Sequence, residues 1–347
     1  MTTGDTLLPA LSYALLALAA GIASAVLTVW LERRAPRLGL VQAPNHRSSH
    51  TRPTARGGGV AIAATIVAAA VLLAPQGGPG FLLIAACIAA IAVLGFLDDL
   101  KDLSAGLRFA VQTAILAILL WASGPLPALG PDWLGGAVLL GLLLLVGLWW
   151  INLFNFMDGI DGIAASQAIL IIAGALLIWA LGDPEAPRHP LFWLAVAAGA
   201  ASLGFLLRNW APARIFMGDS GSNALALTVI ALALATISAG RLSYACWLIL
   251  PAAFVSDATI TLLRRLARGE RPWEAHRRHA YQQLARQHGH AAVSTLYSAI
   301  TLFWLIPMAL AAEWLPQWQW FLAIAAYLPL IAGAWLCRAG ARTESPV

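Results

Sequence analysis

Residues 133–162 read WLGGAVLLGLLLLVGLWWINLFNFMDGIDG. As far as Ile151 the run carries no charge, and at about 1.5 Å per helical residue it spans about 28 Å, close to the ~30 Å hydrocarbon thickness of a bilayer. Polar residues then arrive at a fixed interval: Asn152, Asn155, Asp158 and Asp161 recur every third position. If the helix continues, they form one polar stripe on an otherwise apolar segment. No basic residue between Trp149 and Gln167 neutralises the stripe. Desolvated carboxylates without a local partner imply a bound cation or a cationic neighbouring loop.

The rest of the chain repeats this pattern of apolar run and polar break. Of 347 residues, 60% are hydrophobic and 11% charged, against roughly 25% charged in a soluble domain. Apolar runs predict about eleven transmembrane helices, near 7–31, 57–75, 81–97, 108–122, 133–151, 163–181, 190–207, 222–238, 243–263, 292–312 and 318–337. The expected fold is all-α, a polytopic integral membrane protein with one membrane-embedded domain over 1–347. Its working loops fall near 32–57, 98–108, 151–163, 208–222 and 264–291, with no room for a separate soluble domain. The run 7–31 reads as a retained first span rather than a signal peptide. Cys87, Cys246 and Cys337 lie in apolar runs without disulfide or zinc spacing. The net charge of +5 reads as loop orientation and anionic partners at a membrane face, not as nucleic-acid binding.

Basic residues orient the spans. With the N-terminus periplasmic and the C-terminus cytoplasmic, all 21 basic residues except Arg188 and Arg241 fall in inward loops or at the chain end. The outward loops are short and bland. The inward loops are dense in Asp, Asn, His, Arg and Gly, so the chemistry is expected at one membrane–cytosol boundary.

The first inward loop carries Asn45, His46, Arg47, Ser48, Ser49 and His50, then Arg56 and Gly57-Gly58-Gly59. Such groups hold phosphate oxygens, though a basic orientation loop would look similar. At the end of the third span Asp98 and Asp99 adjoin. Neighbours on a helix point about 100° apart, so the two acids should have different jobs. In the fourth loop, Gly218-Asp219-Ser220-Gly221 opens a span, with Asp219 as a metal ligand or a helix cap. The last loop holds His276-Arg277-Arg278-His279, which suits a phosphate clamp. Asp257, inside an apolar span, is a functional candidate or a partner for a neighbouring helix. Together these loops offer cation ligands and phosphate donors beside lipid. That combination suits phosphoryl transfer between a soluble phosphate-bearing substrate and a membrane lipid.

Five ordered motifs carry a resemblance over the chain: Pro44-Asn-His-Arg-Ser-Ser-His50, Gly95-Phe-Leu-Asp-Asp99, Asn155-Phe-Met-Asp-Gly-Ile-Asp-Gly162, Phe216-Met-Gly-Asp-Ser-Gly221 and His276-Arg-Arg-His-Ala-Tyr281. The set resembles the polyprenyl-phosphate N-acetylhexosamine-1-phosphate transferases, the MraY/WecA/WbpL-like glycosyltransferase family 4. The resemblance implies attack by undecaprenyl (polyprenyl) phosphate on the β-phosphorus of a UDP-N-acetyl sugar. The products are polyprenyl-diphosphate-sugar and UMP, with Mg2+ required and Mn2+ a substitute. By motif, Asn155 and Asp219 match metal positions, and Asp98 and Asp99 the acids near the carrier phosphate. Asp158 and Asp161 match positions lining the nucleotide and metal pocket. His276, Arg277 and His279 fall in the loop that engages phosphate and sugar. The expected substrate-binding set is these three with Asn45, Arg47, His50 and Arg56. The implied location is the bacterial inner membrane, with the site facing the cytosol; a homodimer is left open.

Two Arg separate His276 from His279, where the peptidoglycan branch carries three consecutive histidines. This disfavours a muramoyl-pentapeptide substrate and points to the O-antigen-initiating (WbpL) type. The carrier monoester has a second pKa of roughly 6, so direct attack needs anions brought together more than a strong base. A covalent Asp-phosphate route is the alternative. The rival classes are a CDP-alcohol phosphotransferase, whose acids sit in one contiguous signature, and a transporter or lipid-binding protein with ionisable groups near the midplane.

Overall fold

The computed structural model describes residues 4–42, 53–129, 136–271 and 276–341. The apolar runs form α1 (Gly4–Arg34), α2 (Gly59–Gly77), α3 (Gly80–Lys101), α4 (Ala105–Ala122), α5 (Ala137–Met157), α6 (Ile163–Gly182), α7 (Pro190–Asn209) and α8 (Asp219–Ser238). There follow α9 (Tyr244–Ile249), α10 (Ala252–Leu266), α11 (Ala280–His288), α12 (His290–Ile300), α13 (Ile306–Trp314) and α14 (Gln319–Leu336). A π-helical turn over Thr301–Leu305 joins α12 to α13 as one span. The protein is an all-α, polytopic membrane protein. Among the described residues, ten segments are long and apolar enough to cross a bilayer.

The expected ninth span, 243–263, is not one helix. It breaks between α9 and α10 at Leu250-Pro251. Pro251 has no N–H to donate to the preceding turn, and its ring crowds that turn's carbonyl. Together the two pieces hold 21 helical residues, enough for about 31 Å if laid end to end.

Contacts at the helix ends bring one set of termini to a common face. α1 meets α7 there through Arg208, whose Nε and Nη2 each donate to Glu32 at 2.7 Å. Arg264 of α10 donates to Ala339 O, just past α14, at 2.9 Å. The first loop closes on the fourth: β1 (Val41–Gln42) pairs antiparallel with β2 (Thr54–Ala55). Phe216 N then donates to Ala55 O at 2.8 Å, and Gly58 N to Phe216 O at 2.9 Å. α8 is enclosed by protein along most of its length, whereas α14 is largely open. Apolar side chains such as Leu207, Phe303 and Leu336 lie exposed, which suits a hydrocarbon surround. At the opposite end Arg241 pairs with Asp183 at 2.7 Å and Arg188 with Glu185, so both expected outward cations have acidic partners.

Candidate active site

The N-terminus of α8 is the centre of the site. Its first amides need acceptors and carry the positive end of the helix dipole. Asp99 supplies the acceptors from the end of α3: Asp219 N donates to Oδ1 at 3.0 Å and Ser220 N approaches Oδ2 at 3.4 Å. Arg56, from the first loop, pairs with the same carboxylate. The approach of α3 requires Gly95, since a β-carbon there would overlap the Asp219 backbone. Asp219 is therefore not the cap of its own helix. A carboxylate from another helix caps α8, which leaves the Asp219 side chain available.

Asp98 points elsewhere, as neighbouring helical positions must. It is buried, and it accepts from Leu103 N at 2.7 Å and from Arg108 Nη1 at 2.6 Å. Arg108, in the first turn of α4, also lies 3.7 Å from Asp219 Oδ2. From the last turn of α5, Asn155 Nδ2 donates to Asp219 Oδ1 and to Ser222 Oγ, both at 3.0 Å. Three separate segments, α3, α5 and α8, therefore meet at Asp219.

The expected continuous stripe over 152–161 is not present. α5 ends at Met157 and Asp158 takes the C-cap position, because the glycines at 159 and 162 favour a turn over a further helical turn. Asn152 and Asn155 stay on the helix, with Asn152 Nδ2 donating to Gln112 Oε1 at 3.1 Å. Asp158 stays near the centre. Burial, then the carboxylates of Asp219, Asp99 and Asp161, hold its carboxyl well above the usual range. Asp161 turns to other partners: its Oδ2 accepts from Ala213 N at 3.0 Å, and its Oδ1 lies 3.2 Å from His290 Nδ1. Asn209 holds the same turn, accepting from Gly162 N at 3.0 Å and donating to Ile215 O at 2.9 Å.

Charge counting tests whether a divalent ion fits. Asp98, Asp99, Asp158 and Asp219 bring four carboxylates, and the ion pairs to them come from Arg56 and Arg108. Were all four ionised, two negative charges would lack a partner, and that excess, with burial, is what raises the Asp158 pKa; one divalent cation would balance it. Among the described residues, no three His, Cys, Asp or Glu side chains form a ready cage for a metal. Mg2+ commonly takes one or two carboxylates and completes its octahedron with water and substrate phosphate, so the donor set fits an ion shared with a phosphate-bearing ligand.

The last loop is more buried than a free clamp would be. Arg278 is tied to Glu270 at 2.7 Å. His279 is 4% exposed and stacks on His276, with ring centroids 4.9 Å apart. Burial, followed by the His279 charge, pushes the His276 pKa down to about 3. At neutral pH His276 is thus a neutral hydrogen-bonding ring rather than a cation. Arg277 is half-buried in the same loop, and its carbonyl accepts from Arg286 Nη2 at 2.9 Å. Asn45, Arg47 and His50 lie outside the described residues. Sequence reasoning missed Arg108 as a site residue, along with His290 and Asn209. Only Arg108 carried a local signal, a basic residue one short turn beyond the paired acids.

The fold and site define a helical membrane protein with a cluster of carboxylates, paired with Arg56 and Arg108, at one end of its bundle. The family model described as "Glycosyl transferase family 4" matches residues 81–237. A decaprenyl-phosphate N-acetylglucosaminephosphotransferase of Mycolicibacterium smegmatis is 32% identical over 82% of this chain and 77% of its own length. A probable undecaprenyl-phosphate N-acetylglucosaminyl 1-phosphate transferase of Bacillus subtilis is 30% identical, over 70% of this chain and 68% of its own. An undecaprenyl-phosphate alpha-N-acetylglucosaminyl 1-phosphate transferase of Yersinia pestis is 29% identical, over 72% and 70%. The chain belongs to glycosyl transferase family 4, among the polyprenyl-phosphate N-acetylhexosamine-1-phosphate transferases, and is an enzyme.

Proposed function

We propose that the enzyme transfers an N-acetylhexosamine 1-phosphate from a UDP-sugar to a polyprenyl phosphate, releasing UMP. The proposed setting is the cytosolic face of a bacterial inner membrane, with Mg2+ as the cofactor and Mn2+ as a substitute. N-acetylglucosamine, the sugar in the names of the relatives above, is the first candidate. Initiation of O-antigen or a related envelope polysaccharide is the corresponding pathway step. The single observation that carries this reading is the meeting of Asn155 and Asp219 at 3.0 Å, beside Asp98 and Asp99 and with charge left over for a divalent ion. The cytosolic orientation rests on the basic residues of the loops at that face.

Two anions must approach each other, so the chief task is screening charge. Asp219, Asn155 and Asp158 are the residues that would hold Mg2+, and the ion would supply charge neutralisation on the diphosphate. Arg108 is the protein's own cation for the incoming phosphate, with Asp98 fixing its guanidinium. Both Asp98 oxygens already accept hydrogen bonds, which favours an orienting role over that of a nucleophile. In the direct step a carrier phosphate oxygen bonds to the β-phosphorus while the bond from that phosphorus to the α–β bridging oxygen breaks. That oxygen leaves with UMP. Asp99 and Arg56 keep the α8 terminus in place. A groove of about 160 Å³ runs beside α5 and α8, lined by Leu143, Val146, Leu153, Val229, Leu234 and Trp247. Its apolar lining, starting about one turn from the acidic end of α5, suits an isoprenoid tail. The test is UMP release from a panel of UDP-sugars with one polyprenyl phosphate and Mg2+. Turnover of UDP-N-acetylglucosamine or a sister N-acetylhexosamine is expected; no UMP from any of them would overturn the reading.

A further inference from the structure

Asp257 sits inside α10, 1% exposed, and the reaction above assigns it no step. Its carboxylate is fully engaged. Oδ1 accepts from Ala280 N at 2.8 Å, and Oδ2 from Tyr281 N at 2.9 Å and Tyr297 Oη at 2.7 Å. Thr261 Oγ1 approaches Oδ1 at 3.3 Å. Ala280 and Tyr281 are the first residues of α11. Asp257 therefore caps the helix that directly follows the His276–His279 loop, much as Asp99 caps α8, and charge and dipole agree at both places.

The loop is joined to the acidic centre from the same point. His279 is stacked between His276 at 4.9 Å and Tyr281 at 5.6 Å, and its Nδ1 faces Asp257 Oδ1 at 3.6 Å. Tyr281 then reaches across to the end of α5, where its Oη donates to Phe156 O at 2.8 Å. Gly159, beside Asp158, is passed so closely that a β-carbon there would overlap the phenol oxygen. A continuous set of contacts thus runs from Asp257 through α11 and Tyr281 to the Asp158-Gly159 turn.

We infer that Asp257 is a positioning residue for sugar-nucleotide recognition. By capping α11 it sets the angle at which the His276–His279 loop faces the acidic centre, and Tyr281 fixes the gap between them. The inference rests on the UDP-sugar reading above, so its test includes a measurement that needs no turnover. Asp257→Asn keeps the shape but removes the charge and one backbone acceptor; Tyr281→Phe removes the phenol oxygen, which donates to Phe156 O and accepts from the Gly159 backbone and the Gln282 side chain.

Both variants are made in the full chain in lipid nanodiscs. Thermal midpoints, kcat, KM for the UDP-sugar and KM for the carrier are measured. His279 labelling by diethyl pyrocarbonate is read by mass spectrometry. For Asp257→Asn the expected result is a rise of at least tenfold in KM for the UDP-sugar, with the carrier KM changing less than twofold and His279 labelling increasing. Tyr281→Phe should give the same selective rise in weaker form. If Asp257→Asn does not fold, the Tyr281→Phe result decides. Unchanged kinetics, or a loss confined to the folded fraction with both KM values unaltered, would overturn the inference. If the wild type turns over no UDP-sugar yet His279 labelling rises in Asp257→Asn, the capping role stands and the substrate reading fails.

Discussion

Arg108→Gln is the sharpest probe of the charge balance. The guanidinium lies 2.6 Å from Asp98 Oδ2 and 3.7 Å from Asp219 Oδ2. At 3.7 Å a pair of unit charges attracts by about 1 kcal/mol in a water-like dielectric, and by about 4 kcal/mol at an effective value of about 20. The Arg108 side chain is 38% exposed, so solvent screening makes the lower figure the working value. Removing this cation frees Asp219 for a competing cation. By that value, the Mg2+ concentration giving half-maximal rate should fall about fivefold. Turnover should fall as well, by more than about tenfold, because the phosphate loses its protein-borne cation. Initial UMP release titrated with Mg2+ reads both numbers, and a thermal melt establishes that the variant is folded. A Mg2+ midpoint that stays put, or moves upward, would refute the assignment of Arg108 as the counter-charge of the ion site.

Asp219→Asn should abolish turnover while leaving the thermal midpoint close to that of the parent, because the α8 cap belongs to Asp99. Residual activity above about a tenth, a loss of only about 1.4 kcal/mol, would make the metal role untenable. The raised Asp158 pKa stabilises the folded, metal-free protein at low pH. That contribution is complete below the ordinary carboxylate value of about 4 and is lost as pH climbs through the raised one. Melts in EDTA should therefore show declining stability with rising pH, and Asp158→Asn should flatten the curve. One phosphoanhydride is broken and one made, so excess UMP should regenerate UDP-sugar from the lipid product; no regeneration would count against a near-balanced exchange. Radiolabelled phospho-enzyme formed from UDP-sugar without carrier would replace direct attack by the covalent route.

Much of the architecture was legible because membrane spans are written in length and apolarity. Segments such as α6 and α8 emerge within a few residues of their expected limits. The split at Pro251 was harder to read, because apolar composition continues unbroken from α9 into α10 and only the missing N–H marks the break. Pairing across the bundle was partly legible: an acid-rich loop without local cations demanded outside partners, and Asn155 and Asp219 do meet. Which cations answer was legible only for Arg108, ten positions beyond Asp98; Arg56 and His290 reach their acids through packing of distant segments rather than sequence proximity. The 152–161 stripe failed at Asp158, where glycines end the helix and send Asp161 toward α12. Asp257 showed only that it was costly to bury. Its use as a cap for α11 depends on a contact spanning 23 residues.

The central claim is that carboxylates and an amide from α3, α5 and α8 make one divalent-dependent transfer centre. Its most direct test is UMP release by the purified protein from UDP-N-acetylglucosamine, or the panel sugar it prefers, and polyprenyl phosphate. The assay is run with Mg2+, with excess EDTA, and with Mg2+ restored. Release that stops with EDTA, returns with the metal and is lost in both Asp219→Asn and Asn155→Leu is the predicted result. Release that continues undiminished in EDTA, or survives both substitutions, would contradict it.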